Sequence, residues 1–133
     1  MSHDLIRRFF DLLGEGDVDG WLALMTADVA ADTPFAPTGS PIRFDGIEEI
    51  EHRFGDARRR MVALAFHDVE VLATEDPTRF VATCHSTGTF AGGVPYANRY
   101  CWIFTVVDDR IVHWTEYFDP QPVLDSRRGR AER

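Results

Sequence analysis

One carboxylate, Glu116, stands in an unusually aromatic segment, HWTEYFDP, that runs from His113 to Pro120. Burial penalises the charged form of a carboxyl and raises its pKa, so a Glu in an aromatic enclosure becomes an acid that works near neutral pH. The competing reading is a Glu at a sheet end, ion-paired with an Arg. His85 is the natural partner. If both side chains face inward, Glu116 can accept a hydrogen bond from His85, or either can shuttle a proton. Otherwise the two form a structural bond, or never meet. Tyr96, Asn98 and Tyr100 carry polar atoms that could orient a substrate oxygen, although a buried Tyr is also an ordinary core residue. Asp32 offers a second carboxylate, or a cap or turn Asp.

Other chemistries find no support in the spacing. His3, His52, His67, His85 and His113 show no HExxH pattern and no Cys cluster, so no metal is expected. Gly92-Gly93 reads as a turn and not as a phosphate loop. The chain has no Lys, which excludes lysine Schiff-base chemistry. Cys84 and Cys101 lack an adjacent His or Cys and read as buried thiols. No cofactor is expected.

The elements that must position Glu116 form a hairpin. Tyr96–Val107 and Ile111–Phe118 are rich in β-branched and aromatic residues, with Asp108, Asp109 and Arg110 between them. Tyr100, Trp102, Phe104 and Val106 share one face of the first strand. Val112, Trp114, Glu116 and Phe118 share one face of the second. A three-residue turn brings both aromatic rows together and sets Trp102 opposite Glu116; a two-residue turn would separate Glu116 from Tyr100 and Trp102. The preceding strand, Arg79–Phe90, is joined through a two-residue Gly92-Gly93 turn. That register pairs His85 with Tyr100, Thr87 with Asn98, and Cys84 with Cys101.

Upstream, Ser2–Leu13 reads as a helix with Leu5, Phe9, Leu12 and Leu13 as its stripe, and Asp17 caps a short second helix through Met25. Short strands are expected near Val29–Asp32 and Ile42–Phe44. A third helix runs from Ile47 to about Arg60, with Arg58 and Arg59 on its solvated face. Ala65–Thr74 is a strand, and Glu75–Thr78 a turn. Three helices before a meander of long strands imply an α+β fold, a curved sheet wrapped around the helices with a pocket at its open end. Residues 1–125 make one domain, and the polar, Arg-rich tail of residues 126–133 is expected to fray.

The 133 residues, 44% hydrophobic and 27% charged, suit one globular core. A net charge of -8 argues against nucleic acid or an anionic membrane as partner. Two cysteines without metal spacing, and no visible secretory signal or membrane span, suggest a cytoplasmic protein. Cys101, Ile103, Thr105, Val107 and Ile111, on the face away from the helices, are expected to form a homodimer interface.

The segments GEGDVDGWLALMTADVAADTPF, FDGIEEI and DDRIVHWTEYFDP, in this order, resemble the SnoaL-like branch of the nuclear-transport-factor-2-like superfamily. HDVEVLATEDPTRFVATCHSTGTF, followed by the hairpin, resembles the phenazine-biosynthesis condensation proteins within it. The resemblance implies a cone-shaped α+β barrel, often dimeric, and a pocket for a small, largely apolar organic molecule. It implies cofactor-free isomerase, cyclase, dehydratase or condensation chemistry, or a non-catalytic binding or dimerisation module. By the phenazine-type pattern Glu116 is the proton donor and His67 a pocket residue. The steroid isomerases of the superfamily carry an Asp directly before Pro-Phe. Here Thr33 precedes Pro34-Phe35, and Asp32 lies one place earlier. The Asp-Arg-Asp set of the limonene-epoxide hydrolases is replaced by Thr87, His85 and Glu116. Phe35, Trp102 and Trp114 complete the expected substrate-contacting set.

Overall fold

The computed structural model describes residues 2–132. Helix α1 (Ser2–Glu15) and helix α2 (Val18–Leu22) are followed by strands β1 (Met25–Asp32) and β2 (Arg43–Asp45). Helix α3 (Ile47–Ile50) runs through a π turn (Glu51–Gly55) into helix α4 (Asp56–Arg59). Strands β3 (Met61–Ala73), β4 (Arg79–Phe90), β5 (Pro95–Val107) and β6 (Arg110–Phe118) then lead to helix α5 (Pro120–Ala131). The strands form one curved, mixed sheet in the order β2-β1-β6-β5-β4-β3. Only β1 and β6 run parallel. The edges β2 and β3 do not pair, so the sheet is an open cone and not a closed barrel.

The β5–β6 register is the expected one, with Trp102 opposite Glu116, but it arises differently. The turn has two residues, Asp108 and Asp109, both at positive φ (50° and 61°), and Val107 pairs with Arg110. This is the conformation whose twist suits a tight hairpin. The extra residue enters two positions later. Val106 pairs with Ile111 and Thr105 with His113, which leaves Val112 as a bulge. The two-residue turn also corrects one expectation: Ile111, opposite Val106, is fully buried in the core and does not face a partner.

The β4–β5 register differs from expectation by one residue. The Phe90 carbonyl accepts from the Gly93 N–H, and the Phe90 N–H donates to the Val94 carbonyl, so three residues form the loop. Gly92 and Gly93 both sit at positive φ, which only glycine adopts without strain. Cys84 therefore pairs with Tyr100, His85 with Arg99, Ser86 with Asn98, and Thr87 with Ala97. A one-residue slip turns every side chain of a strand to the other face. His85 and Thr87 go to the outer face of the sheet, and Ser86 to the inside.

α1 lies in the concave face. The Phe9 ring centroid is 5.3 Å from Trp102, 5.0 Å from Phe104, 5.3 Å from Trp114 and 5.3 Å from Trp21. Phe10 meets Phe66 at 5.1 Å and Trp102 at 5.3 Å. Such edge-to-face contacts add to the area term of burial. α2 begins at the expected cap, with the Asp17 carboxylate accepting from the Gly20 N–H at 2.9 Å. Its end comes earlier than expected, because Met25 opens β1.

Two helical residues depart from the sequence expectation. Arg58, assigned to a solvated face, is 9% exposed. Its guanidinium donates to the carbonyls of Leu13 (2.6 Å), Gly14 (2.9 Å) and Met61 (3.0 Å). It thus binds carbonyls in the last turn of α1 and favours the negative end of that helix. The tail from Ser126, expected to fray, lies in α5. Asp119 caps α5 through the Gln121 N–H at 2.9 Å, Pro120 is its first residue, Ser126 is buried, and the Arg130 guanidinium lies 4.0 Å over the Phe90 ring. α5 has no apolar stripe because small residues and arginine stems pack it, and hydrophobic periodicity does not register those.

Replacing Arg58 by Ala removes its three bonds, to the carbonyls of Leu13, Gly14 and Met61. Urea denaturation is expected to show a loss of about 2–4 kcal/mol. A loss below about 0.5 kcal/mol would show that the bonds contribute nothing net.

Candidate active site

The inner face carries the buried carboxyl and a set of buried hydroxyls. Glu116 projects from β6 toward a cavity of about 120 Å³ bounded by Trp21, Phe54, Leu64, Phe66, Tyr100 and Trp102. A second lobe of about 110 Å³ shares Phe54, Tyr96 and Glu116 with the first and continues to Thr33, Phe118, Arg53 and Arg127. The π turn places Phe54 and Arg53 here. Its extra residue per turn re-aims side chains that a regular helix would direct elsewhere. A wider surface groove near Arg43, Glu48, His52 and Arg60 is larger, about 760 Å³. It is open and lined by charges, and Glu116 is not among its residues, so chemistry places the site in the smaller lobes.

Glu116 is 8% exposed, and its Oε1 is buried without a hydrogen-bond partner among the described residues. Burial pushes its carboxyl up to about 8, while the nearby Trp114 indole and the Arg53 guanidinium pull it down less strongly. Arg53 forms no salt bridge with it, and the Trp114 Nε1 is itself buried without a bonded partner. The reading of Glu116 as a buried acid thus prevails over that of a sheet-end ion pair.

Beside it runs a chain of hydroxyls. Ser86 Oγ and the Tyr100 hydroxyl lie 2.9 Å apart, and Tyr100 donates to the Tyr96 hydroxyl at 3.4 Å. Asn98 Nδ2 donates to the Tyr96 hydroxyl at 2.8 Å and to the Asp119 carbonyl at 2.9 Å. Asn98 Oδ1 accepts from the Asp119 N–H at 3.1 Å. Asn98 therefore pins the entry of α5 to β5 and orients Tyr96 from behind, outside the lining of the cavity. Burial raises both phenols, Tyr100 well above its ordinary value, so they serve as neutral hydrogen-bond groups. Cys84 is pushed up to about 12, mainly by burial, which makes it an inert thiol.

The expected set divides by sheet face. Glu116, Tyr96, Tyr100 and Trp102 meet at the cavity. Trp114 lies in the core among Phe9, Trp21 and Phe54. His85, expected beside Glu116, is on the outer face, its ring stacked on His67 at 5.0 Å and its Nδ1 3.5 Å from Asp68 Oδ2. His67 and Thr87 are there too, bonded to each other at 2.7 Å. Asp32 points outward from β1, 2.7 Å from His113 Nε2 and 2.8 Å from Arg43. Phe35 is 57% exposed and packs on Tyr117 at 5.2 Å, away from both lobes. The β4–β5 slip accounts for His85 and Thr87, and their β3 partner His67 follows. For Asp32, neighbouring Ala31 takes the inward position beside Trp114. Sequence reasoning missed Arg53, Phe54 and Arg127, because a helix expected to run unbroken from Ile47 to about Arg60 gives no sign of a π turn. Among the described residues no three His, Cys, Asp or Glu side chains converge as a metal site requires.

The raised Glu116 carboxyl couples folding to pH. Between its ordinary value of 4.5 and about 8, the folded chain holds a proton that the unfolded chain has lost. Its contribution to stability is thus complete below about 4.5 and is lost as pH rises toward 8. Relative to Glu116→Gln, the wild-type chain should lose about 1.4 kcal/mol per pH unit across that window in parallel urea titrations. Parallel curves for the two proteins would place the ordinary carboxyl pKa in the folded state and contradict the burial argument.

Comparison with known proteins agrees with this geometry. Residues 6–114 match the model of the SnoaL-like domain. An uncharacterised Bacillus subtilis protein, YesE, is 26% identical over 95% of this chain and 86% of its own length. An uncharacterised PhzA/B-like protein of Pseudomonas aeruginosa is 29% identical over 89% of this chain and 84% of its own. Among solved structures, a candidate isomerase from Bacillus subtilis superposes with a TM-score of 0.87 at 26% identity, covering 96% of this chain and 93% of that one. A phenazine biosynthesis-related protein from Pseudomonas aeruginosa superposes with a TM-score of 0.80 at 19% identity, over 94% and 83% of the two chains, which bears on the fold alone. The open α+β cone, the closing strand with its buried Glu116 and the match over most of the chain lead to one assignment: the protein belongs to the SnoaL-like domain family of the nuclear-transport-factor-2-like superfamily.

Proposed function

We propose that this chain is a cofactor-independent acid–base enzyme for a largely apolar organic molecule, of the isomerase, cyclase, dehydratase or condensation type. The observation that carries the reading is the Glu116 carboxyl, buried with an unpartnered oxygen at the junction of two cavity lobes, where burial raises it to about 8. A neutral carboxyl there donates its proton to a substrate oxygen. The carboxylate so formed can take a proton from carbon, which restores the acid and relocates one hydrogen. Tyr96 and Tyr100 supply neutral hydroxyls to orient the reacting oxygen. The aromatic walls keep bulk water from levelling the acid. His85, expected to share this work, has no place in the step because it lies on the other sheet face.

One observation favours a second reading, a non-catalytic binding module. No titratable group with a working pKa accompanies Glu116 in the first lobe, since the phenols are raised and Arg58 is bonded to backbone. Glu116→Gln separates the two. Proton relocation can be followed by deuterium incorporation from heavy water into a panel of β,γ-unsaturated and β-hydroxy ketones. An enzyme should lose roughly 10²–10⁴-fold in rate with little loss of affinity, and the wild-type rate should fall above about pH 8 as the acid ionises. Equal rates in both proteins would remove Glu116 from the mechanism, and a changed affinity with no reaction to lose would mark a binding module.

The homodimer belongs to the same proposal. Cys101, Ile103 and Thr105 are half-buried on the outer face of the sheet, and Val107 is exposed. A second copy on this face would cover them while leaving the inner cavity untouched. Light scattering at micromolar concentration should give twice the chain mass of 15.1 kDa. A monomer alone would refute the assembly.

A further inference from the structure

Four arginines lie within electrostatic reach of one another, and two of them, Arg53 and Arg127, line the second lobe. Arg53 comes from the π turn and Arg60 from the end of α4, while Arg127 and Arg130 come from α5. They are close enough to repel. Arg127 and Arg60 both lower Arg53, after burial, and the same pair lowers Arg130, again after burial. Yet none of the four forms a salt bridge with a carboxylate among the described residues. Arg43 and Arg59 do so with Asp32, Asp45, Glu51 and Asp56. In a chain with 22 acidic and 14 basic residues, such a cluster is not a by-product of composition. Like charges held together lower the stability of a fold by repulsion, and a bound anion relieves that repulsion.

Two of the four reach the site itself. Arg53 and Arg127 line the second lobe together with Glu116, Tyr96 and Phe118. Arg53 is half-buried, with its guanidinium 5.6 Å above the Phe44 ring, and Arg127 Nη1 donates to Ser40 Oγ at 3.1 Å. Each therefore keeps donors free for a ligand, and a guanidinium fork matches a planar carboxylate. The first lobe, by contrast, is walled by aromatic and aliphatic side chains. Glu116 at the junction has its Oε1 unpartnered. As a neutral acid it does not repel an anion placed beside it.

We propose that the ligand of this cavity is an apolar molecule bearing a carboxylate, with the carboxylate held by Arg53 and Arg127 in the second lobe and the apolar body in the first. This arrangement sets the bond between the two parts beside Glu116. The inference rests on the reading of the Glu116 cavity as the substrate site, and it names the substrate class. It also gives α5 a role, since that helix brings Arg127 to the anion.

Phenylacetate and phenylacetamide share a ring and differ in charge, so titration calorimetry of both at pH 7 and fixed ionic strength tests the idea. Phenylacetate should bind roughly tenfold or more tightly than the amide. Arg53→Met and Arg127→Met should each erase most of that preference, and Arg128→Met, an exposed control on α5, should keep it. Glu116→Gln should also keep the preference, because its side chain is neutral as well. If a Met variant fails to fold by circular dichroism, Arg53→Lys and Arg127→Lys serve instead and should reduce the preference several-fold by removing the fork. Equal binding of the two probes would overturn the carboxylate assignment and leave the cavity standing. A preference that survives both Arg variants would overturn the assignment of these residues. Failure of both probes to bind would overturn the cavity as the substrate site, and this inference with it.

Discussion

The register between β5 and β6 is the constraint on which the site depends. Trp102 must stand opposite Glu116 for the carboxyl to lie on the inner face, under the aromatic ceiling formed by α1 and β5. The tight turn at Asp108 and Asp109 alone would give the opposite parity. The turn by itself sets Ile111 inward opposite Val106, and the bulge at Val112 then restores the parity that carries Trp114 and Glu116 inward. Turn and bulge together thus connect three outcomes: a favourable turn, a filled core and an inward acid. Bulges re-aim side chains, and here the re-aimed side chain is the buried carboxyl of Glu116.

The aromatic core supplies the electrostatics as well as the stability. Phe9, Trp21, Trp102 and Trp114 surround the region below Glu116 with low-polarity matter. Their burial holds α1 in the concave face, and the same burial denies water to the carboxyl. Stability and acidity therefore have one cause. The arginines divide along a similar line. Arg58 spends its donors on the backbone carbonyls of Leu13, Gly14 and Met61 and so joins α1 to the start of β3. Arg53 and Arg127 have donors to spare and lie on the lobe that opens outward. Residue type does not separate these roles; the number of bonds already made does.

The outer face shows the reverse arrangement. His67, His85, Thr87 and Asp68 form a half-exposed polar cluster, and Asp32 joins His113 and Arg43 at the other side of the sheet. These groups bond with one another and not with the cavity. They carry the residue types that chemistry favours, which is why they were legible as candidates, but a β-sheet separates its two faces by the full thickness of the pleat. A histidine on the outer face is as far from the cavity as one on another element.

By itself the sequence determined the order and type of the elements from α1 to β6. β4 has the expected bounds, Arg79–Phe90, α2 begins beyond its Asp17 cap, and Glu116 shares a face with Trp114. These follow from short-range rules: apolar periodicity, caps and the two-residue repeat of a strand. Tertiary structure decided what depends on counting residues through a turn, since a difference of one inverts a strand. The three-residue loop at Ala91–Gly93 moved His85 and Thr87 outward, while the bulge at Val112 kept Glu116 inward although its turn was shorter than expected. It also decided the fate of residues whose burial carries no hydrophobic signal. Arg58 is buried through hydrogen bonds to carbonyls 44 and 45 residues away in the chain, and α5 packs through Ser126, Gly129 and arginine stems. Local pattern cannot register these, because the partners that make such burial favourable are brought near only when the sheet has curved around α1.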